Sequence, residues 1–192
     1  MKELAEAIRT FGRGIGSDIV KVDMFLNHRI DTALLFSMGR ALADHFAQKR
    51  PTLVMTVEAS GIALAVAAAH ALGDLPVVFA KKSAAVNQSP EMAQAPVYSF
   101  THKCENVIRV DKRYVPIGSR VLIVDDFLAD GNAVRGMMDI VSQLGGRTVG
   151  VGIGIEKGFQ RGGQALREQG VDLLSLAVVT GIDDGVIDLA ED

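Results

Sequence analysis

VLIVDDFLADGNAV, residues 121–134, opens as an apolar run that can bury both faces of a strand and closes in the pattern of a helix start. Asp125 and Asp126 stand at the join, and Gly131 allows the backbone to turn tightly into the next helix. In an open parallel sheet, ligands gather where strands run out and helices begin. The free N–H groups and dipole of a helix start favour a phosphate. Carboxylates instead accept hydrogen bonds from hydroxyl groups and repel phosphate. The juxtaposition therefore points to one ligand carrying both, a sugar phosphate. On these residues alone a blander reading stays open, in which the two aspartates end a strand and Asp130 caps the helix.

Outward from this stretch, apolar runs of strand length alternate with segments of helical period. TLVMTV (52–57), PVVFA (76–80), RVLIV (120–124) and TVGVGIGI (148–155) read as central strands. Asp31 is placed to cap a helix whose apolar stripe is Leu34, Leu35, Met38, Leu42 and Phe46. A second helix runs from Gly131 to Leu144 and stops at Gly145 and Gly146. This alternation predicts an α/β fold with a mainly parallel central sheet flanked by helices.

At 192 residues, 48% hydrophobic and 22% charged, the chain is long enough for one domain with a substantial core. A net charge of −3, with no run of lysines or arginines, argues against nucleic acid as a partner. The start MKELAEAIRTFGRG lacks the apolar stretch of a signal peptide, and IALAVAAAHALG is too short to span a bilayer, so a cytoplasmic protein with no membrane partner is expected. Cys104 is the one cysteine, which excludes an internal disulfide and a zinc ribbon. There is no G-x-x-x-x-G-K-[ST] nucleotide loop, no H-E-x-x-H and no other metal-ligand cluster.

Two regions break the rhythm. Residues 82–96, KSAAVNQSPEMAQAP, hold few large apolar groups and read as a lid or a disordered insertion. In GVGIGI, Gly150, Gly152 and Gly154 leave one face of a strand bare, so either a flat ligand or another backbone, or a packed helix, comes close there.

VLIVDDFLADGNAV resembles the phosphoribosyl pyrophosphate (PRPP) motif of the type I phosphoribosyltransferases: an apolar strand, two acids, two apolar residues and a small phosphate loop. VKVDMFLNHRID, VEASGIALA, VVFAKK, VYSFTHK and IEKGFQRGG, in that order and spacing, resemble the branch of the family that acts on xanthine. The resemblance implies that Asp125 and Asp126 act at the reacting centre on the ribose hydroxyls, directly or through Mg2+ arriving with PRPP. It implies that Ala129, Asp130, Gly131, Asn132 and Ala133 cradle the 5'-phosphate. Glu58, Ala59, Ser60 and Gly61 would form a pyrophosphate loop of unusual backbone geometry, with Lys81 also on the pyrophosphate; the plain alternative is a strand-to-helix turn capped by Ser60. Lys157 would donate to the purine 6-oxo group and reject adenine, Phe159 would stack on the base, and Val20 and Asn27 would contact it. The whole chain, 1–192, would be one domain, with a small base-binding hood from about 1–30 and 157–192. Xanthine, with guanine or hypoxanthine used more weakly, would be converted to the nucleotide and pyrophosphate, with a homodimer as the working form. Closure of 82–96, with Tyr98 and Ser99 at its far end, would exclude water.

The alternative is a non-catalytic PRPP-sensing domain related to purine-operon repressors. Those carry a further DNA-binding domain, and the stretch before Asp31 is not basic. Two residues depart from relatives acting on hypoxanthine and guanine. Ala129 stands where those have an aspartate thought to manage a proton on the base, which suits a base acidic enough to react as its anion. Asp130 stands where many have threonine or asparagine, so its carboxylate opposes the phosphate unless it turns away to cap the helix.

Overall fold

The computed structural model describes residues 1–82, 91–99 and 104–190. At the amino end, α1 (Lys2–Phe11) leads into a hairpin of β1 (Arg13–Ile15) and β2 (Ile19–Lys21). A π-helical turn at Asp23–Asn27 and α2 (Thr32–Phe46) follow. Then come β3 (Leu53–Val57), α3 (Gly61–Ala71) and β4 (Val77–Ala80). An antiparallel ribbon of β5 (Met92–Ser99) and β6 (Cys104–Asp111) precedes β7 (Arg120–Leu128) and α4 (Asn132–Gln143). The chain closes with β8 (Arg147–Lys157), α5 (Gly162–Glu168), β9 (Leu173–Asp183) and β10 (Val186–Leu189).

The central sheet has the order β10-β9-β8-β7-β3-β4, parallel except for β10. Strand side chains alternate between two cores, as a sheet covered on both faces requires. Leu122 and Val124 of β7 join α2 and α3 on one face, and Val121 and Ile123 join α4 on the other. From β3 the chain crosses through α3 to β4, whereas from β7 it crosses through α4 to β8 in the opposite direction. The reversal leaves a crevice between β3 and β7 at their carboxyl ends.

The bare glycine face turns out to be covered by a helix. A Cβ on Gly150 would run into the Phe46 ring, one on Gly152 would lie 2.9 Å from Leu42 Cδ2, and one on Gly154 would lie 3.2 Å from Met38 Cε. The apolar stripe of α2 thus rests on naked backbone, and Asp31 caps that helix by accepting from Leu34 N at 3.1 Å.

Two expectations change. β7 runs on to Leu128 instead of ending at Val124, because β8 continues to pair with it as far as Leu128 and Glu156. The 82–96 segment is not one loop: residues 83–90 lie outside the described residues, and Met92–Ser99 is strand. Its shortage of large side chains reflects a tight approach, since Ala93 and Ala95 face the α4 core and a Cβ on Gly136 of α4 would lie 2.7 Å from Val97. Tyr98 and Ser99 fall in this strand.

Candidate active site

β3 pairs with β7 only as far as Ile123, while β8 accompanies β7 to Leu128. Asp125 and Asp126 therefore sit where one side of β7 has lost its neighbour, and the 58–61 loop fills that side. The Ser60 hydroxyl donates to Asp126 Oδ1 at 3.0 Å, and Asp126 N donates to Asp125 Oδ1 at 3.0 Å. Ser60 precedes α3 but makes no capping bond, so its hydroxyl serves the carboxylate rather than the helix. Gly61 is required here: a Cβ would lie 2.5 Å from Asp125 Oδ1 and collide with Thr56 Oγ1. The peptide between Glu58 and Ala59 is cis. Glu58 Oε1 accepts from Lys82 N at 2.6 Å, and Lys81 exchanges backbone hydrogen bonds with Arg109 of β6, leaving its own side chain exposed.

Both carboxylates are buried. Burial, and then the charge of Asp126, push the Asp125 carboxyl well above the usual carboxylate range; Lys82 opposes this weakly. The Thr56 hydroxyl below them is fully buried and has no hydrogen-bond partner among the described residues.

Gly131, at φ +78°, ends the turn at 129–131 and stands at the start of α4 without any side-chain cap. Asp130 therefore does not cap the helix. Its carbonyl accepts instead from the Arg135 guanidinium, which also donates to Asn132 Oδ1 at 3.0 Å. Arg135 closes the turn from within α4. On the outer side, Gly162 of α5 packs so closely that a Cβ would lie 2.6 Å from Gly131 N.

Lys157 is the last residue of β8, half-buried, and its ammonium donates to the Asp18 carbonyl in the β1–β2 turn at 2.6 Å. Burial lowers its pKa from the ordinary lysine value, while the charges of Asp18 and Asp130 work the other way. Val20 is buried in the same apolar cluster as Phe25 and Leu26, and Phe159 packs against that cluster. Asn27 is exposed at the end of the π-helical turn. The structure thus brings 58–61, Asp125, Asp126 and 129–133 to one crevice, with Val20, Lys157 and Phe159 grouped beside the hairpin. Among the described residues, an open cavity of about 410 Å³ lies instead at the amino ends of β3 and β7, lined by Thr52, Tyr114 and Ile117. Arg113 on its wall is held in a fork by Asp111.

A profile of the phosphoribosyl transferase domain matches residues 28–169. The chain belongs to that family. It is 48% identical over 183 residues, 95% of each chain, to the xanthine phosphoribosyltransferase of Bifidobacterium animalis subsp. lactis (strain AD011). It is 50% identical over 187 residues to that of Heliobacterium modesticaldum (strain ATCC 51547 / Ice1), covering 97% of this chain and 98% of the other. A crystal structure of adenine phosphoribosyltransferase from Rhodothermus marinus DSM 4252 superposes with a TM-score of 0.75, covering 93% of this chain and 100% of that one. At 22% identity this likeness shows the shared type I phosphoribosyltransferase fold.

Within this phosphoribosyltransferase, sequence reasoning missed several residues that the site leans on. Arg135 was hidden in a helix read for its apolar stripe, and Asp18 acts through its carbonyl, which no sequence pattern reports. Glu156 did carry a signal, a carboxylate at the end of the apolar run TVGVGIGI.

Proposed function

We propose that the protein transfers the phosphoribosyl group of PRPP to xanthine, giving xanthosine 5'-monophosphate and pyrophosphate. The observation that carries this reading is Lys157: a half-buried ammonium, aimed by the Asp18 carbonyl, beside the crevice that holds Asp125 and Asp126. The names of relatives at 48% and 50% identity agree with it.

In this reading the turn at 129–133 receives the 5'-phosphate on backbone N–H groups at the start of α4. Asp125 and Asp126 accept from the ribose hydroxyls. The 58–61 loop and Lys81 face the departing pyrophosphate. Displacement at the anomeric carbon builds positive charge on the ribose and negative charge on the leaving group. The protein acts by holding the partners in line and stabilising the departing charge. Among the described residues no three His, Cys, Asp or Glu side chains gather into a metal cage. The all-oxygen pair Asp125 and Asp126 suits a Mg2+ ion that arrives on PRPP oxygens and keeps most of its waters. When bound, the ion would neutralise charge on the pyrophosphate.

On the base side, Lys157 donates to the 6-oxo group, an acceptor that adenine lacks, Val20 and Asn27 bound the pocket, and Phe159 offers a ring face. Ala129 supplies no carboxylate to take a proton from the base, so a base that ionises readily, as xanthine does, is favoured over hypoxanthine. The working form is a cytoplasmic homodimer.

The test is nucleotide formation from PRPP and Mg2+ with xanthine, guanine, hypoxanthine and adenine in parallel. Xanthine should give the highest kcat/KM, guanine or hypoxanthine less, and adenine none. Preference for adenine, or PRPP binding without turnover of any base, would overturn the reading.

A further inference from the structure

Glu156 and Lys157 are neighbours at the end of β8 and point to different tasks. The Glu156 carboxylate is buried on the α5 side and is gripped three times. Arg167 of α5 donates to its two oxygens at 2.8 and 2.7 Å, and Ser175 of β9 donates to Oε2 at 2.5 Å. Burial raises the Glu156 pKa, but the bonds from Arg167 and Ser175 outweigh it and leave the group below its ordinary value. The carboxylate is therefore charged in the folded protein.

The first turn of α5 is wedged between this carboxylate and the phosphate turn. A Cβ on Gly163 would overlap Glu156 Oε1, and a Cβ on Gly162 would overlap the Ala129 carbonyl. Two successive glycines thus let one helical turn touch both at van der Waals distance or closer. The loop that joins Lys157 to α5 is short and folds back, with Gln160 N donating to the Lys157 carbonyl at 2.9 Å. Any shift of α5 therefore moves the wall behind 129–131 together with the loop that carries Phe159 and is tied back to Lys157 at the end of β8. If α5 needed only to stay attached, apolar packing would do as well, because a buried ion pair is a weak source of net stability. What a forked guanidinium adds is direction.

We propose that Glu156, with Arg167 and Ser175 as its partners, is a positioning residue that sets the phosphate turn at 129–131 and Lys157 relative to each other. It touches neither substrate. This rests on the substrate roles assigned above to the turn and to Lys157, and it extends them by coupling the two binding sites through one buried carboxylate.

The test uses Glu156→Gln, Ser175→Ala and Arg167→Lys in the full chain. Thermal melting, PRPP binding by calorimetry, and kcat and KM for PRPP and xanthine are measured for each. Glu156→Gln, assayed well below its melting temperature, should lose about tenfold or more in kcat/KM for both substrates, the scale of a misplaced binding group. Ser175→Ala, which removes one of three bonds, should shift both constants in the same direction by less. A folded Glu156→Gln protein with unchanged constants would overturn the proposal, as would a change confined to one substrate. If Glu156→Gln does not fold, Arg167→Lys decides by the same criteria, since lysine keeps the charge but cannot form the fork. Failure of the unsubstituted protein to use xanthine would instead strike at the functional reading, and PRPP binding by the variants would still judge the coupling to the phosphate turn.

Discussion

The Ser60 hydroxyl donates to Asp126 Oδ1 at 3.0 Å and so joins the 58–61 loop to strand β7, 66 residues away in the chain. The bond crosses the crevice from the β3 side to the β7 side. It orients a buried carboxylate. Ser60→Ala should cost about 0.5–1.5 kcal/mol of stability, the usual net contribution of one hydrogen bond. It should also lower kcat/KM for PRPP by roughly tenfold, while Ser60→Thr, which keeps a hydroxyl, should retain most activity. Steady-state kinetics and urea unfolding of the two variants check this.

Asp125 is a liability to the fold. Its folded-state pKa lies well above the unfolded value, through burial first and then the charge of Asp126. Between those two values the folded protein binds more protons than the unfolded chain, so this group makes stability fall as pH rises through that window. Asp125→Asn cannot ionise and keeps an oxygen for Asp126 N. It should be at least as stable as the unsubstituted protein at neutral pH, with a flatter stability profile, and about a hundredfold less active. Unfolding curves at several pH values, with activity alongside, provide the measurement.

Asp130 acts in two opposing directions. Its carboxylate stands in a turn proposed to receive a phosphate, and its charge helps keep Lys157 protonated against burial. Asp130→Asn should therefore tighten PRPP binding several-fold, by the removal of one nearby repulsion. It should also bring the alkaline fall in kcat/KM for xanthine to lower pH, because Lys157 then loses its proton sooner. Calorimetry with PRPP and a pH–rate profile test the two halves separately.

Gly150 tests the packing of α2. Gly150→Ala drives a methyl group into the Phe46 ring and should cost about 1–3 kcal/mol, the usual penalty of overpacking a core. Phe46→Leu in the same chain should recover part of that loss. Urea denaturation of the single and double variants measures it.

The central strands, the two long helices and the Asp31 cap were legible because each rests on local periodicity or a local hydrogen bond. The aspartate pair and the turn after it were legible because strand, acids and glycine are contiguous in the chain. What escaped was set by partners far away. Only the different lengths over which β3 and β8 pair with β7 show that the strand continues to Leu128. The glycine face of β8 allowed a ligand or a helix until Phe46, Leu42 and Met38 were seen lying on it. Asp130 and Ser60 looked like caps by residue type, but the Arg135 guanidinium takes the Asp130 carbonyl and Asp126 takes the Ser60 hydroxyl.

The contact between Lys157 and the Asp18 carbonyl spans 139 residues, and the β1–β2 hairpin reaches the β9–β10 turn through Gly14 N and the Gly185 carbonyl at 2.9 Å. Contacts of such sequence separation form late, because the intervening chain must first be ordered. In a chain made from its amino end, the hairpin emerges early and waits for strands that are synthesised near the finish. The β3–β7 crevice can take shape before its neighbour does. The flank proposed to choose the base is thus the last part of the protein to be built, and an interrupted product would hold the pieces of the crevice proposed for PRPP without it.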